Sequence, residues 1–200
     1  MASCVSLPDQ MNFPSQTGSL GALKWLWLSA LIIVLDLSTK SIASHYLVLY
    51  QPLPVFPGFN WTLMHNTGAA FSFLSDASGW QRWFFSIIAI TVSVGITIWM
   101  KRLQPNQVWL AVSLALILGG ALGNVWDRLT LGYVVDFIQV YYDKWAWPAF
   151  NVADSAIVVG AILLVIDSLR GDPNADESAD KSADKDTKKN SDKSSDNTEA

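Results

Sequence analysis

The sequence predicts an all-α integral membrane protein: four transmembrane helices with a small sheet and a loop or short helix outside the membrane. Three observations carry that expectation. Of the 200 residues 51% are hydrophobic and only 15% charged, a balance skewed for a water-soluble domain. The apolar residues fall into four stretches, at about 22–44, 83–100, 108–126 and 151–169, each near the ~20 residues of helix that a bilayer core requires. Trp25, Trp27, Trp80, Trp83, Trp99, Trp109, Trp126, Trp145 and Trp147 lie near the ends of these stretches or in the last loop, where amphipathic rings favour the headgroup region.

Taken in order, residues 1–21 form a polar arm carrying Pro8, Pro14 and Gly18. It has no apolar run ahead of Ala22, so the first span is expected to be a signal-anchor rather than a removed leader. That span has its apolar centre from Trp25 to Leu35 and closes on DLSTK, residues 36–40, where Asp36 and Lys40 share one helix face at i,i+4. Residues 45–79 carry Pro52, Pro54, Pro57 and Gly58, then two β-prone runs, Phe59–Met64 and Ala69–Leu74, about the turn signal HNTG. They predict a hairpin or curled sheet, with His65 in the turn and His45 just after the first helix. The second and third spans are joined by the short Gln104-Pro105-Asn106 turn, which makes a compact antiparallel bundle. Within 127–150, YYDKWAWPAF (141–150) predicts a half-buried loop or short helix on the surface. The fourth span follows, and the Asp/Lys/Ser-rich tail 171–200 is expected to be disordered.

The net charge of −4 belongs to that tail. Of the 17 acidic and 13 basic residues, nine and five lie beyond residue 170, which leaves eight of each in the body. No basic patch is left to suggest nucleic acid. Lys24, Lys101, Arg102 and Arg170 flank one set of span ends, so the positive-inside rule predicts N-in, C-in. Asp36, Asn66, Asn124, Arg128, Asp136, Asn151 and Asp154 then fall on the outer, periplasmic side. Two histidines and the single Cys4 supply no zinc cluster and no disulfide, and neither a metal nor another cofactor is expected.

Two kinds of catalytic group remain. Asp136 sits in the apolar YVVDF segment (133–137) with no obvious structural task, and Asp154 lies one turn inside the fourth span. If the ends of the outer loop meet, the two carboxyls share a poorly hydrated site and one proton. One could then activate water while the other protonates the peptide. The plainer alternative for Asp154 is a helix cap. Asn124 and Arg128, at i,i+4, could hold a substrate; the alternative is an Asp127–Arg128 surface ion pair with a capping Asn. Gly119, Gly120 and Gly123 permit close approach by a helix or a ligand. A Ser–Lys pair built on Lys40 with Ser41 or Ser44 is weaker, because Asp36 keeps Lys40 charged.

The blocks DLSTK (36–40), NTGAAFS (66–72), GNVWDR (123–128) with VVDF (134–137), and FNVADSAI (150–157) resemble the bacterial lipoprotein signal peptidases, signal peptidase II. They occur in the family's order across about 22–170. The resemblance implies a four-helix membrane aspartic endopeptidase with a periplasmic β-cradle and helix, acting in the bacterial inner membrane. It implies removal of signal peptides from prolipoproteins, before a cysteine that carries diacylglyceryl. It further implies that Asp136 and Asp154 are catalytic, that Asn66, Asn124, Arg128 and Asn151 contact substrate, and that Gly120 and Val134 line the groove. Asp36 and Lys40 would be structural support. A monomer, contact with membrane lipid and inhibition by globomycin-type peptides are also expected. The rival readings are a proton- or cation-coupled carrier using the same aspartates, and a membrane scaffold.

Overall fold

A computed structural model describes residues 21–68 and 79–170 of the chain. The N-terminal arm, the run Ala69–Leu74 and the acidic tail lie outside them. A 3-10 turn, Gly21–Trp25, leads into α1 (Leu26–Tyr46). Strands β1 (Leu53–Phe56) and β2 (Phe59–Asn66) follow, then α2 (Trp80–Arg102) and α3 (Val108–Thr130). Strands β3 (Val134–Tyr142) and β4 (Trp145–Ala146) lead to α4 (Val152–Leu169). All four helices are long and apolar enough to cross a membrane.

Helix α3 is the axis of the bundle. In its most apolar window 61% of residues are buried, against 17–22% in the other three, so α1, α2 and α4 pack around it and turn their outer faces to lipid. Val158, Val159, Ile162 and Val165 of α4 and Ile87, Val94 and Ile98 of α2 are accordingly exposed. Small residues set the approach. A methyl at Gly119 would press on Ser29 and Ile32 of α1, and one at Gly120 on the Ala153 carbonyl and Ile157 of α4. One at Gly160 of α4 would meet the Ser113 carbonyl of α3. The glycines thus permit helix-to-helix contact. Gly120, expected to line a groove, is a packing residue because α4 occupies the space in front of it.

Both long connections, 47–79 and 131–151, leave the same end of the antiparallel bundle, so their strands can pair there. They form one antiparallel sheet in the order β1-β2-β3-β4. The hairpin turn is at Pro57-Gly58, where Gly58 adopts φ 94°. Proline at the first and glycine at the second central position suit such a turn. His65 therefore belongs to β2, stacked on Tyr133 at 3.9 Å, and His45 belongs to the last turn of α1. The main partner of β2 is β3, with Met64 opposite Asp136 and Asn66 opposite Val134. Residues 141–150 form no helix. They are the end of β3, a turn with Asp143 at φ 52°, strand β4 and an extended run.

Helix α3 runs four residues beyond the expected Trp126. Asp127 and Arg128 find partners without leaving the helix, and it stops where Gly132 (φ 88°) donates back to the Asp127 carbonyl.

Candidate active site

The polar residues singled out in the sequence converge at the sheet end of the bundle. Asp136, on β3, is 2% exposed, whereas Asp154, in the first turn of α4, is half-buried. Fifteen residues of chain are folded back to bring their neighbourhoods together. Phe150 exchanges backbone hydrogen bonds with Ile138 of β3, which delivers Asn151 beside Asp136. Asn151 then does two tasks. Its Oδ1 accepts from the Asp154 amide at 2.9 Å while Asp154 Oδ2 accepts from the Asn151 amide at 3.3 Å, a reciprocal cap on α4. Its Nδ2 donates to Asp136 Oδ1 at 2.7 Å, to the Val135 carbonyl and to Asn124 Oδ1, each at 3.2 Å. Asp154 is therefore both a capping residue and a member of the carboxylate pair.

Asn66, at the end of β2, donates through Nδ2 to Asp136 Oδ2 at 2.9 Å, and its Oδ1 accepts from the Gly68 amide. Asn124 donates to Asp154 Oδ1 at 2.7 Å. Each carboxylate is thus held by amide side chains from other elements. Asp136 is nevertheless pushed up to about 7, first because burial strips water from its charged form and second because Asp154 stands nearby. These two effects outweigh the donors from Asn66 and Asn151.

Beneath the pair lies a buried ionic cluster that local sequence could show only in part. Lys40 Nζ is 2.7 Å from Asp36 Oδ2, as the i,i+4 spacing suggested, but also 2.9 Å from Asp127 Oδ2 and 3.0 Å from Asn124 Oδ1. The alternative of an Asp127–Arg128 surface pair gives way to this interior one, because Asp127 points from α3 toward α1. The carboxylates also hold backbone: Asp36 Oδ1 accepts from the Ala153 amide at 2.9 Å, and Asp127 Oδ2 from the Val135 amide at 3.1 Å. Ala153 and Val135 immediately precede Asp154 and Asp136. A Ser–Lys base is not available, since two carboxylates hold Lys40.

Arg128 lies over the Phe85 ring at 5.6 Å and donates through Nη1 to the Asn124 carbonyl at 3.3 Å. Its Nε has no hydrogen-bond partner among the described residues, so it has donor capacity to offer a ligand. Val134, expected in the groove, is 2% exposed and packed at the start of β3. Among the described residues no group of His, Cys, Asp or Glu is arranged to hold a metal.

Residues 28–170 match the model of the family described as signal peptidase (SPase) II. A lipoprotein signal peptidase of Pseudomonas fluorescens (strain Pf0-1) is 54% identical over 159 residues, 78% of this chain and 94% of that one. Its counterpart from Ectopseudomonas mendocina (strain ymp) is 55% identical over 162 residues, 80% and 96% of the two chains. A bacterial membrane enzyme solved by the in meso method at 2.3 Å superposes with a TM-score of 0.65 at 32% identity. That match covers 74% of this chain and 88% of the solved one.

Proposed function

The chain belongs to the signal peptidase II family, and from that premise we propose that Asp136 and Asp154 are the catalytic pair of this lipoprotein signal peptidase. The protein is a membrane aspartic peptidase acting on prolipoproteins. The observation that carries the assignment is the meeting of two carboxylates from separate elements, each held by asparagine amides, with one raised to about 7. Raised to about 7, the Asp136 carboxyl still carries its proton in a large fraction of molecules near neutral pH. The Asp154 carboxylate, which accepts from Asn124 and the Asn151 amide, draws a proton from water as the oxygen attacks the scissile carbonyl carbon. Asp136 gives its proton to the carbonyl oxygen. As the tetrahedral intermediate collapses, the C–N bond breaks and the leaving nitrogen takes the proton held by Asp154. A hydroxyl of the intermediate returns its proton to Asp136 as the C=O bond re-forms.

The bond cut is the one before the diacylglyceryl-bearing cysteine. Asn66 and Arg128 hold the peptide, Asn124 and Asn151 act on the pair, and the aromatic hairpin around Trp145 rests against lipid. The site lies at the periplasmic face of the inner membrane, with both termini inside, and the protein works as a monomer. In support of that orientation, Lys101, Arg102 and Arg170 sit at the end of the bundle opposite the sheet. The carrier reading has no comparable support, because the other half of the bundle is closed by an apolar cluster around Met100 and Leu114.

The decisive measurement is cleavage of a diacylglyceryl-modified prolipoprotein. Asp136→Asn and Asp154→Asn should each lower turnover by roughly 10²–10⁴-fold or more while the protein keeps its helical content. Near-normal turnover in either variant would remove that residue from the pair. A globomycin-type cyclic peptide is expected to compete with substrate.

A further inference from the structure

We propose that Lys40 is a positioning residue for the reaction: a donor-only side chain that fixes which way the Asn124 amide points, and so which atom faces Asp154. The proposal rests on the aspartate pair described above. It begins with hydrogen-bond inventory. An ammonium has three N–H donors and no acceptor, and Lys40, 3% exposed, spends all three on Asp36, Asp127 and Asn124. The atom of Asn124 turned toward it must therefore be the oxygen.

Asn151 imposes the same choice from a second direction. Its own oxygen is taken by the Asp154 amide, so it offers only Nδ2, which lies 3.2 Å from Asn124 Oδ1. With the oxygen of Asn124 fixed by two donors, its Nδ2 is left for Asp154 Oδ1 at 2.7 Å. The reversed amide would set N–H against N–H at Lys40 and at Asn151, and oxygen against oxygen at Asp154. All three contacts would turn repulsive together, so one orientation is strongly selected. The charged groups around Lys40 are Asp36 on its own helix and Asp127 on α3. Arg128, Asp136 on β3 and Asp154 on α4 are reached through Asn124 and Asn151. Among these, Lys40 is the group whose polarity the others must follow.

The test compares kcat and KM for a diacylglyceryl-modified prolipoprotein across pH, in the full chain. Lys40→Gln combined with Asp127→Asn keeps the net charge of the cluster but lets residue 40 either donate or accept. It should lower kcat by roughly tenfold to a hundredfold, leave KM within about twofold, and move the acid limb of the pH–rate profile up by about one unit. Lys40→Arg, still donor-only, should keep the acid limb where it is. An unmoved limb in the double variant, whatever its rate, or an equal shift in Lys40→Arg, overturns the proposal. If the double variant does not fold, Asn124→Ser removes the relay with every charge in place: a shifted limb supports the proposal and an unshifted one overturns it. Asp136→Asn and Asp154→Asn are measured alongside. If they still cleave, the aspartate pair fails and takes this proposal with it. If they are inactive while the limbs stay put, only the role of Lys40 falls.

Discussion

The two halves of the bundle are built from the same helices on opposite principles. Toward the 2–3 turn, α2 and α3 enclose Ile96, Met100, Ala111, Leu114, Ala115 and Leu118 with no charge among them. Toward the sheet, α1, α3 and α4 enclose Asp36, Lys40, Asn124, Asp127 and Asn151, each 6% exposed or less. The first half is held by apolar burial and dispersion. The second removes three charges from water, and buried ion pairs seldom repay that cost in stability. Besides Lys40, the two carboxylates accept from the backbone amides of Ala153 and Val135, one residue before each aspartate of the site. One half holds the molecule together; the other holds two carboxylates in place.

If that contrast is right, the halves should fail differently. The largest stability loss should come from Met100→Ala in the apolar half, about 2–5 kcal/mol by thermal denaturation in detergent, with the pH–rate profile of the surviving enzyme unmoved. A displaced profile would show that the halves are coupled. Gly120→Ala should cost less, about 1–3 kcal/mol, yet it should also reduce kcat. The added methyl pushes against the Ala153 carbonyl, next to Asp154; unchanged kcat would mean that α4 shifts without disturbing its first turn.

The smallest effect is the pH dependence of stability that Asp136 sets between about pH 6 and 8. Its folded pKa, about 7, lies above the ordinary 3.8, so the folded protein binds this proton more tightly than the unfolded chain. That contribution is complete below about pH 4 and is lost as pH rises through 7. Between pH 6 and 8 it should remove about 1.4 kcal/mol. Asp136→Asn should abolish this slope, and a slope that survives the substitution assigns the proton elsewhere.

Much of this was legible from local features. Four apolar stretches of sufficient length gave the spans, and the i,i+4 spacing of Asp36 and Lys40 gave their pairing. Asp136 stood out because an aspartate among valines and phenylalanine needs a reason to be there. What local spacing could not give were contacts made across distance in the chain. The pairing of β2 with β3 joins residues about 70 apart. Asp127 reaches Lys40 across a helix interface, and because both are satisfied there, α3 continues past Trp126, where the apolar stretch stops. Gly120 carried a genuine ambiguity, since closeness to a helix and closeness to a ligand make the same demand on a side chain.

Asn151 has a consequence for the order in which the protein is made. It starts α4 and donates to Asp136 at once. A nascent chain whose fourth span has not yet entered the bilayer carries Asp136 but neither Asn151 nor Asp154 in place. With Asp136 and Asp154 as the proposed pair, such a chain is expected to leave prolipoprotein uncut. On that proposal, insertion of the last helix completes the site.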